Sequence, residues 1–385
     1  MVFRAAARQR ILDVEVEALS VPLLEPFVIA SGRIESTRAV LVRVILHDEV
    51  SDRVGFGLGE AAALPPVTAC DQPDLLQTLT AASLALRSLS FEGLRGLGDV
   101  VDGVAFDCGL HLVARAGLES ALLFAWADLL QQPMHRLLGS SPYDDPVRAF
   151  VVETDITIPI AAPAHMARLV TRWRRSDFRI FKVKVGRNDN DGGHDADLAA
   201  IHAIARAAPG VRLRLDGNAG QSEQQARDLF HAALTQGMTV ELLEQPTASL
   251  TSLASLSLSL PVPVIADESA CSYRDVEALA AASVSGVNLK LVKHGGPLEA
   301  ARIGRLARRR RLALMAGAMV ETRVGLAAML HVVRALSPRE ANKVPKIAID
   351  LDTAFLLSAD PFESGYGVDG PLLFLHDDGP VERGR

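Results

Sequence analysis

The sequence predicts an α/β protein, a (β/α) TIM-type barrel with an α+β capping domain, and three observations carry that expectation. From about residue 150 to 351, short β-rich runs alternate with helical stretches, which implies parallel strands joined by helical crossovers. About eight such strands fall within about two hundred residues, the allotment of this barrel. The first 140 residues have a different order, strands and then helices, which marks a separate module.

The 385 residues are 49% hydrophobic, too long for one small domain and apolar enough for a large core. VEVEALSV, AVLVRVILHD and VGFGLGEA alternate between residues 12 and 60 and predict an antiparallel meander. GFGLGE at 55–60 has GxGxG spacing and no following helix, so it reads as a hairpin of the cap and not as a dinucleotide loop. Residues 71–138 carry Ala/Leu-rich helical patterns such as ARAGLESALLFAWADLL and end near the stretch from Gly139 to Pro142. The expected division is a capping domain over 1–140, a barrel over 141–355, and a C-terminal stretch, 356–385, that packs on the cap. Barrel strands are expected near 151–157, 179–185, 211–216, 239–243, 262–266, 286–291, 312–316 and 346–351.

Composition narrows the function classes. Net charge is −6, and the one dense basic run, Arg305 to Arg311, suits a solvated helix C-terminus, so no nucleic-acid partner is expected. Cys70, Cys108 and Cys271 lack CxxC spacing, which fits neither a disulfide framework nor a zinc site and implies a reducing compartment. With no apolar leader and no apolar run of membrane length, the expectation is a cytoplasmic protein without a membrane partner.

Lys184, Asp216, Glu244, Asp267, Lys290, Glu321 and Asp350 follow one another at gaps of 32, 28, 23, 23, 31 and 29 residues, each close to one β/α unit. Each strand thereby delivers an ionisable group to the C-terminal mouth, where active sites of this fold are assembled. Asp216, Glu244 and Asp267 come from three successive strands and would repel one another without a cation. All-oxygen ligation points to Mg²⁺, with Mn²⁺ as the other candidate. Lys182 and Lys184 lie two apart in FKVKVG and share the interior face. Crowding with another cation is expected to depress their pKa values and let Lys184 act as a base. Lys290 comes from the opposite side, so a planar carbanion between Lys184 and Lys290 could lose a proton to one and regain it from the other. His294, beside Lys293 at the start of a βα loop, is left outside the site.

FKVKVG, RLDGN, LLEQP, ADES, NLKLVKHGG and GAMVET stand in the order and spacing of the enolase superfamily, and the chain resembles its muconate-lactonizing-enzyme-like subgroup over nearly its whole length. The resemblance implies that the cap covers the barrel, that the three carboxylates hold Mg²⁺, and that a lysine base works beside an ion that stabilises the enediolate. Within the subgroup, IDLDTAFLL looks like the Asp-x-Asp signature of dipeptide epimerases. Asp350 and Asp352 on one strand face would receive the ammonium of a dipeptide with a free N-terminus. The TDIT motif is similar to the epimerase pattern and puts Thr157 on the substrate, with Lys182 holding the substrate carboxylate. Glu268 and Glu321 are expected beside these groups, orienting a lysine or accepting hydrogen bonds near the metal. The family also contains a muconate cycloisomerase and N-acyl amino acid racemases, the alternative activities, and its members are often homo-oligomers. In the Ala-Glu epimerases a capping-loop arginine meets the acidic side chain. The matching position in PFVIASGR is Gly32, with Arg33 beside it, so the resemblance does not carry Glu specificity.

Overall fold

The computed structural model describes residues 8–29, 32–139, 150–188, 192–337, 346–363 and 365–375. Ser140 to Pro142, where the cap was expected to end, and the tail beyond residue 375 lie outside them. The cap holds a four-stranded antiparallel sheet in the order Arg53–Ala63, Arg38–Asp48, Gln9–Leu19, Ser90–Phe91. The glycines of GFGLGE serve packing. Gly55, Gly57 and Gly59 alternate onto one face of their strand, and the helix Leu112–Leu129 lies directly on that face. A Cβ at these glycines would collide with the backbone oxygens of Ala125, Ala121 and Gly117, small residues spaced four apart on the helix. Close approach of two backbones is what requires glycine here. Gly59→Val is expected to lower stability in urea unfolding by about 3 kcal/mol or more; a midpoint equal to the wild type's would show that the helix can move away.

The barrel comprises eight parallel strands in sequence order, Ile156–Ile158, Ile180–Lys184, Arg212–Asp216, Thr239–Glu244, Val264–Ala266, Gly286–Leu289, Ala313–Gly317 and Ala348–Asp350. A parallel bridge between Thr154 and Ile349 brings the last strand round to the first. The crossover helices begin where the sequence offers caps. Ser222 with Gln225 and Ser272 with Asp275 form reciprocal capping boxes, which satisfy otherwise orphaned backbone donors. The arginine-rich run ends the helix Pro297–Arg309, with Arg308 and Arg309 in its last turn.

Two strand expectations need correction. The single strand expected over 151–157 is divided: Phe150–Glu153 pairs antiparallel with Leu372–Leu375, and only Ile156–Ile158 joins the barrel. Asp352 does not share a strand with Asp350, because Ala348–Asp350 ends there and Asp352 caps the 3₁₀ turn Thr353–Leu356. The C-terminal stretch also divides its contacts: Leu357 bridges to Leu23 of the cap, whereas Leu372–Leu375 lies on Phe150–Glu153.

Glu60, the last residue of GFGLGE, docks the cap on the barrel. Its buried carboxylate accepts hydrogen bonds from the Thr322 and Gly325 amides and the Thr322 hydroxyl, at the start of the helix Arg323–Leu336. A helix N-terminus favours negative charge, yet burial and then Glu321 push the Glu60 carboxyl up to about 8.

Candidate active site

Parallel register sets the depth of each charge. Lys184 stands beside Asp216 and Asp216 beside Glu244, so three neighbouring strands present ionisable groups at one level. Asp267 and Lys290 each follow the last residue of their strands, and Lys290 stands four strands round from Lys184. All five are buried.

Lys184 Nζ donates to Asp216 Oδ2 at 2.5 Å and to Asn218 Oδ1 at 3.1 Å. On the other side Lys290 Nζ donates to Asp267 Oδ2 at 2.7 Å, and Lys293 Nζ to Asp267 Oδ1 at 2.5 Å. Lys182 donates to Asp350 Oδ2 and stands 3.8 Å from both Asp216 Oδ2 and Glu244 Oε2. Asp352 Oδ2 accepts the Thr157 amide at 2.6 Å, and Glu268 Oε1 the Asn218 side-chain amide at 3.1 Å. Glu321 Oε1 accepts the Met319 amide at 2.9 Å.

Thr157, Lys182, Lys184, Asp267, Glu268, Lys290, Asp350 and Asp352 face one cleft that opens to solvent beneath the cap. Asp216, Glu244 and Glu321 are not on its wall; the first two lie under the lysines that are. Gly32 is also off the wall, and Arg33 is exposed and paired with Glu35 at 3.0 Å.

For Lys182 the shift runs opposite to the expected depression. Burial lowers the Lys182 and Lys290 values, but carboxylates outweigh it, and both stand above the ordinary lysine value. Asp350, Glu244 and Asp216 act on Lys182, and Asp267 and Glu244 on Lys290. Asp216 and Asp267 are correspondingly held low, because their lysines overcome the cost of burial. Glu244 is the exception, pushed up to about 8 by burial and then by Asp216.

That exception bears on metal binding. Glu244 Oε1 accepts the Asn288 side-chain amide at 2.7 Å, whereas Oε2 is buried with no hydrogen-bond partner. A carboxylate oxygen without a hydrogen-bond partner, beside Asp216 and Asp267 and 3.8 Å from Lys182, belongs to an all-oxygen donor set that fits a hard divalent cation. A second acidic group, Asp155, Asp350 and Asp352, has oxygens within 4.8 Å of one another and could also hold an ion. There Arg214 already meets Asp155 Oδ2 at 2.8 Å and Lys182 meets Asp350. Asp155 Oδ1 and Asp350 Oδ1 have no hydrogen-bond partner, so this group too can take a further positive charge.

Several residues that shape the site were not singled out from the sequence: Lys293, Asn288, Asn218, Gln245, Asp155 and Arg214. Gln245 and Asn218 have φ of 31° and 41°, uncommon for non-glycine residues. Their side chains account for tolerating it. Gln245 Oε1 accepts the Asp267 amide at 2.8 Å, and Asn218 links Lys184 to Glu268. The signal was present, since both stand within RLDGN and LLEQP. His294 is buried, with Nδ1 2.9 Å from the Cys271 carbonyl oxygen, and does not face the cleft.

Comparison with known proteins follows the same lines. Residues 165–367 match the family model described as enolase C-terminal domain-like. An L-Ala-D/L-amino acid epimerase of Populus trichocarpa is 34% identical over 377 residues, covering 94% of this chain and 82% of that protein. An L-Ala-D/L-Glu epimerase of Bacillus subtilis is 29% identical over 370 residues, covering 95% of this chain and 94% of that one. The dipeptide epimerase of Enterococcus faecalis V583, complexed with Mg and the dipeptide L-Leu-L-Tyr, superposes with a TM-score of 0.81 at 28% identity, covering 97% of this chain and 100% of that chain.

Proposed function

Because the chain belongs to the enolase superfamily and is an epimerase acting on amino acid derivatives, we propose that it inverts the α-carbon next to the carboxylate of a dipeptide with a free N-terminus. The observation that carries this reading is the arrangement of the cleft wall. Lys184 and Lys290 face it from strands four apart, and Asp350 and Asp352 face it from the last strand end. One lysine amine takes the α-proton from one face of the substrate, and the opposite ammonium returns a proton to the other face. Lys182 and Thr157 orient the bound dipeptide. Asp216, Glu244 and Asp267 would hold Mg²⁺, the ion with which the E. faecalis dipeptide epimerase is complexed, on the strength of their oxygens and the unpartnered Glu244 Oε2. When bound, the ion supplies positive charge that stabilises the negative charge developing on the substrate and offsets the carboxylates that hold the lysine protons.

The free N-terminus separates this reading from an N-acyl amino acid racemase, and deuterium uptake at the α-carbon tests it. A free dipeptide is expected to exceed its N-acetyl counterpart in kcat/KM by at least about tenfold, the value of one charge-assisted hydrogen bond. Replacing Asp350 and Asp352 together by Asn should reduce that ratio toward one. The ratio is the informative quantity, since Asp350 also partners Lys182 and the absolute rate will fall for that reason too. Preference of the wild type for N-acyl amino acids would reverse the assignment.

A further inference from the structure

Given the dipeptide reading on which it rests, we infer that the substrates are dipeptides with apolar side chains and that acidic ones are rejected. The proposed poles of the substrate, carboxylate and ammonium, are both met by charges at the barrel strand ends, so the side chains extend toward the cap. Every described cap residue on the cleft wall is apolar: Leu23, Phe27, Ile29, Leu64 and Val67. The loop after the seventh barrel strand adds Met319 to the same wall.

The charges near this wall are drawn away from it. Glu25 lies on the same strand as Leu23 and Phe27, Pro22–Ile29, but a register shift falls between Pro22 and Phe27. Its carboxylate is held by His165 at 3.0 Å and Arg172 at 3.2 Å, outside the cleft. Arg33, the nearest capping-loop cation in sequence, is exposed and paired with Glu35. The cations that do reach the cleft, Lys182, Lys184 and Lys290, are engaged with carboxylates at its floor. A glutamate side chain would leave water for a wall with no free cation among the described residues, and an unpaired buried charge is strongly disfavoured. A leucine or phenylalanine side chain loses only apolar surface to water there.

The test measures α-deuteration and epimerisation of L-Leu-L-Phe, L-Ala-L-Phe and L-Ala-L-Glu by the Mg²⁺-loaded full chain. The apolar dipeptides are expected to exceed L-Ala-L-Glu in kcat/KM by at least about a hundredfold. Val67, the most exposed of the cap wall residues at 37%, can carry a longer side chain. Val67→Arg, checked for folding by thermal melting, is expected to shift the ratio toward L-Ala-L-Glu by about tenfold or more. Turnover of L-Ala-L-Glu equal to or above that of the apolar dipeptides overturns the apolar class and leaves the epimerase reading standing. A folded V67R with an unchanged ratio counts against the wall assignment. If no dipeptide is deuterated, both readings fall.

Discussion

Lys184→Ala and Lys290→Ala are each expected to stop epimerisation, lowering its rate by roughly a hundred- to ten-thousandfold, while each variant still deuterates one epimer of the substrate. The two lysines stand on opposite sides of the cleft with separate partners, Asp216 and Asn218 for one and Asp267 for the other. Deleting one therefore removes a base from one face only. In D₂O the epimer whose α-proton faces the surviving lysine should exchange without inverting, and the two variants should retain opposite epimers. Neither deletion strips its aspartate of cations. Asp267 keeps Lys293 at 2.5 Å, and Asp216 keeps Lys182 at 3.8 Å, so folding should survive. Exchange of both epimers at the wild-type rate in both variants would remove the two-base mechanism.

What could be read before the structure was what strand periodicity and spacing dictate. Ionisable residues recurring once per β/α unit marked the strand ends, because a parallel barrel puts the ends of all its strands at one mouth. The resemblance then attached roles to them. Hidden from that reading were the interactions that cross between units. Lys293 belongs to no strand end but to the short helix Leu291–His294 that follows Lys290, and that turn brings it onto Asp267. Arg214 stands two residues before Asp216 and points to the same interior, but its partner Asp155 comes from the first barrel strand's approach, 59 positions away. The division of 151–157 was equally hidden. Its first half pairs with a C-terminal strand more than two hundred residues distant, and no local pattern announces such a partner. Asp350 and Asp352 were singled out as a pair for the right neighbourhood and the wrong reason, since a turn, and not a shared strand face, brings them together.

Glu244→Gln is expected to abolish the response of the protein to Mg²⁺ and to lower kcat/KM by at least about a hundredfold. Glutamine matches the size of the residue and can keep the hydrogen bond from Asn288, but it removes the charge from the oxygen that has no partner. Thermal melting gives a readout independent of turnover. A ligand that binds only the folded state raises the melting temperature, so Mg²⁺ should stabilise the wild type and leave the variant unchanged. The metal-free proteins should differ in the opposite sense. Burial and Asp216 raise the Glu244 carboxyl to about 8, whereas the unfolded chain titrates near the ordinary glutamate value, about 4.3. The folded state therefore binds more protons between those values, and wild-type stability falls as pH rises through that window. Glutamine carries no such dependence, so without metal E244Q should be at least as stable as the wild type at pH 8. A variant still stabilised by Mg²⁺ would move the metal to the other buried acidic group, Asp155, Asp350 and Asp352. The ammonium of a dipeptide would then have to be received elsewhere.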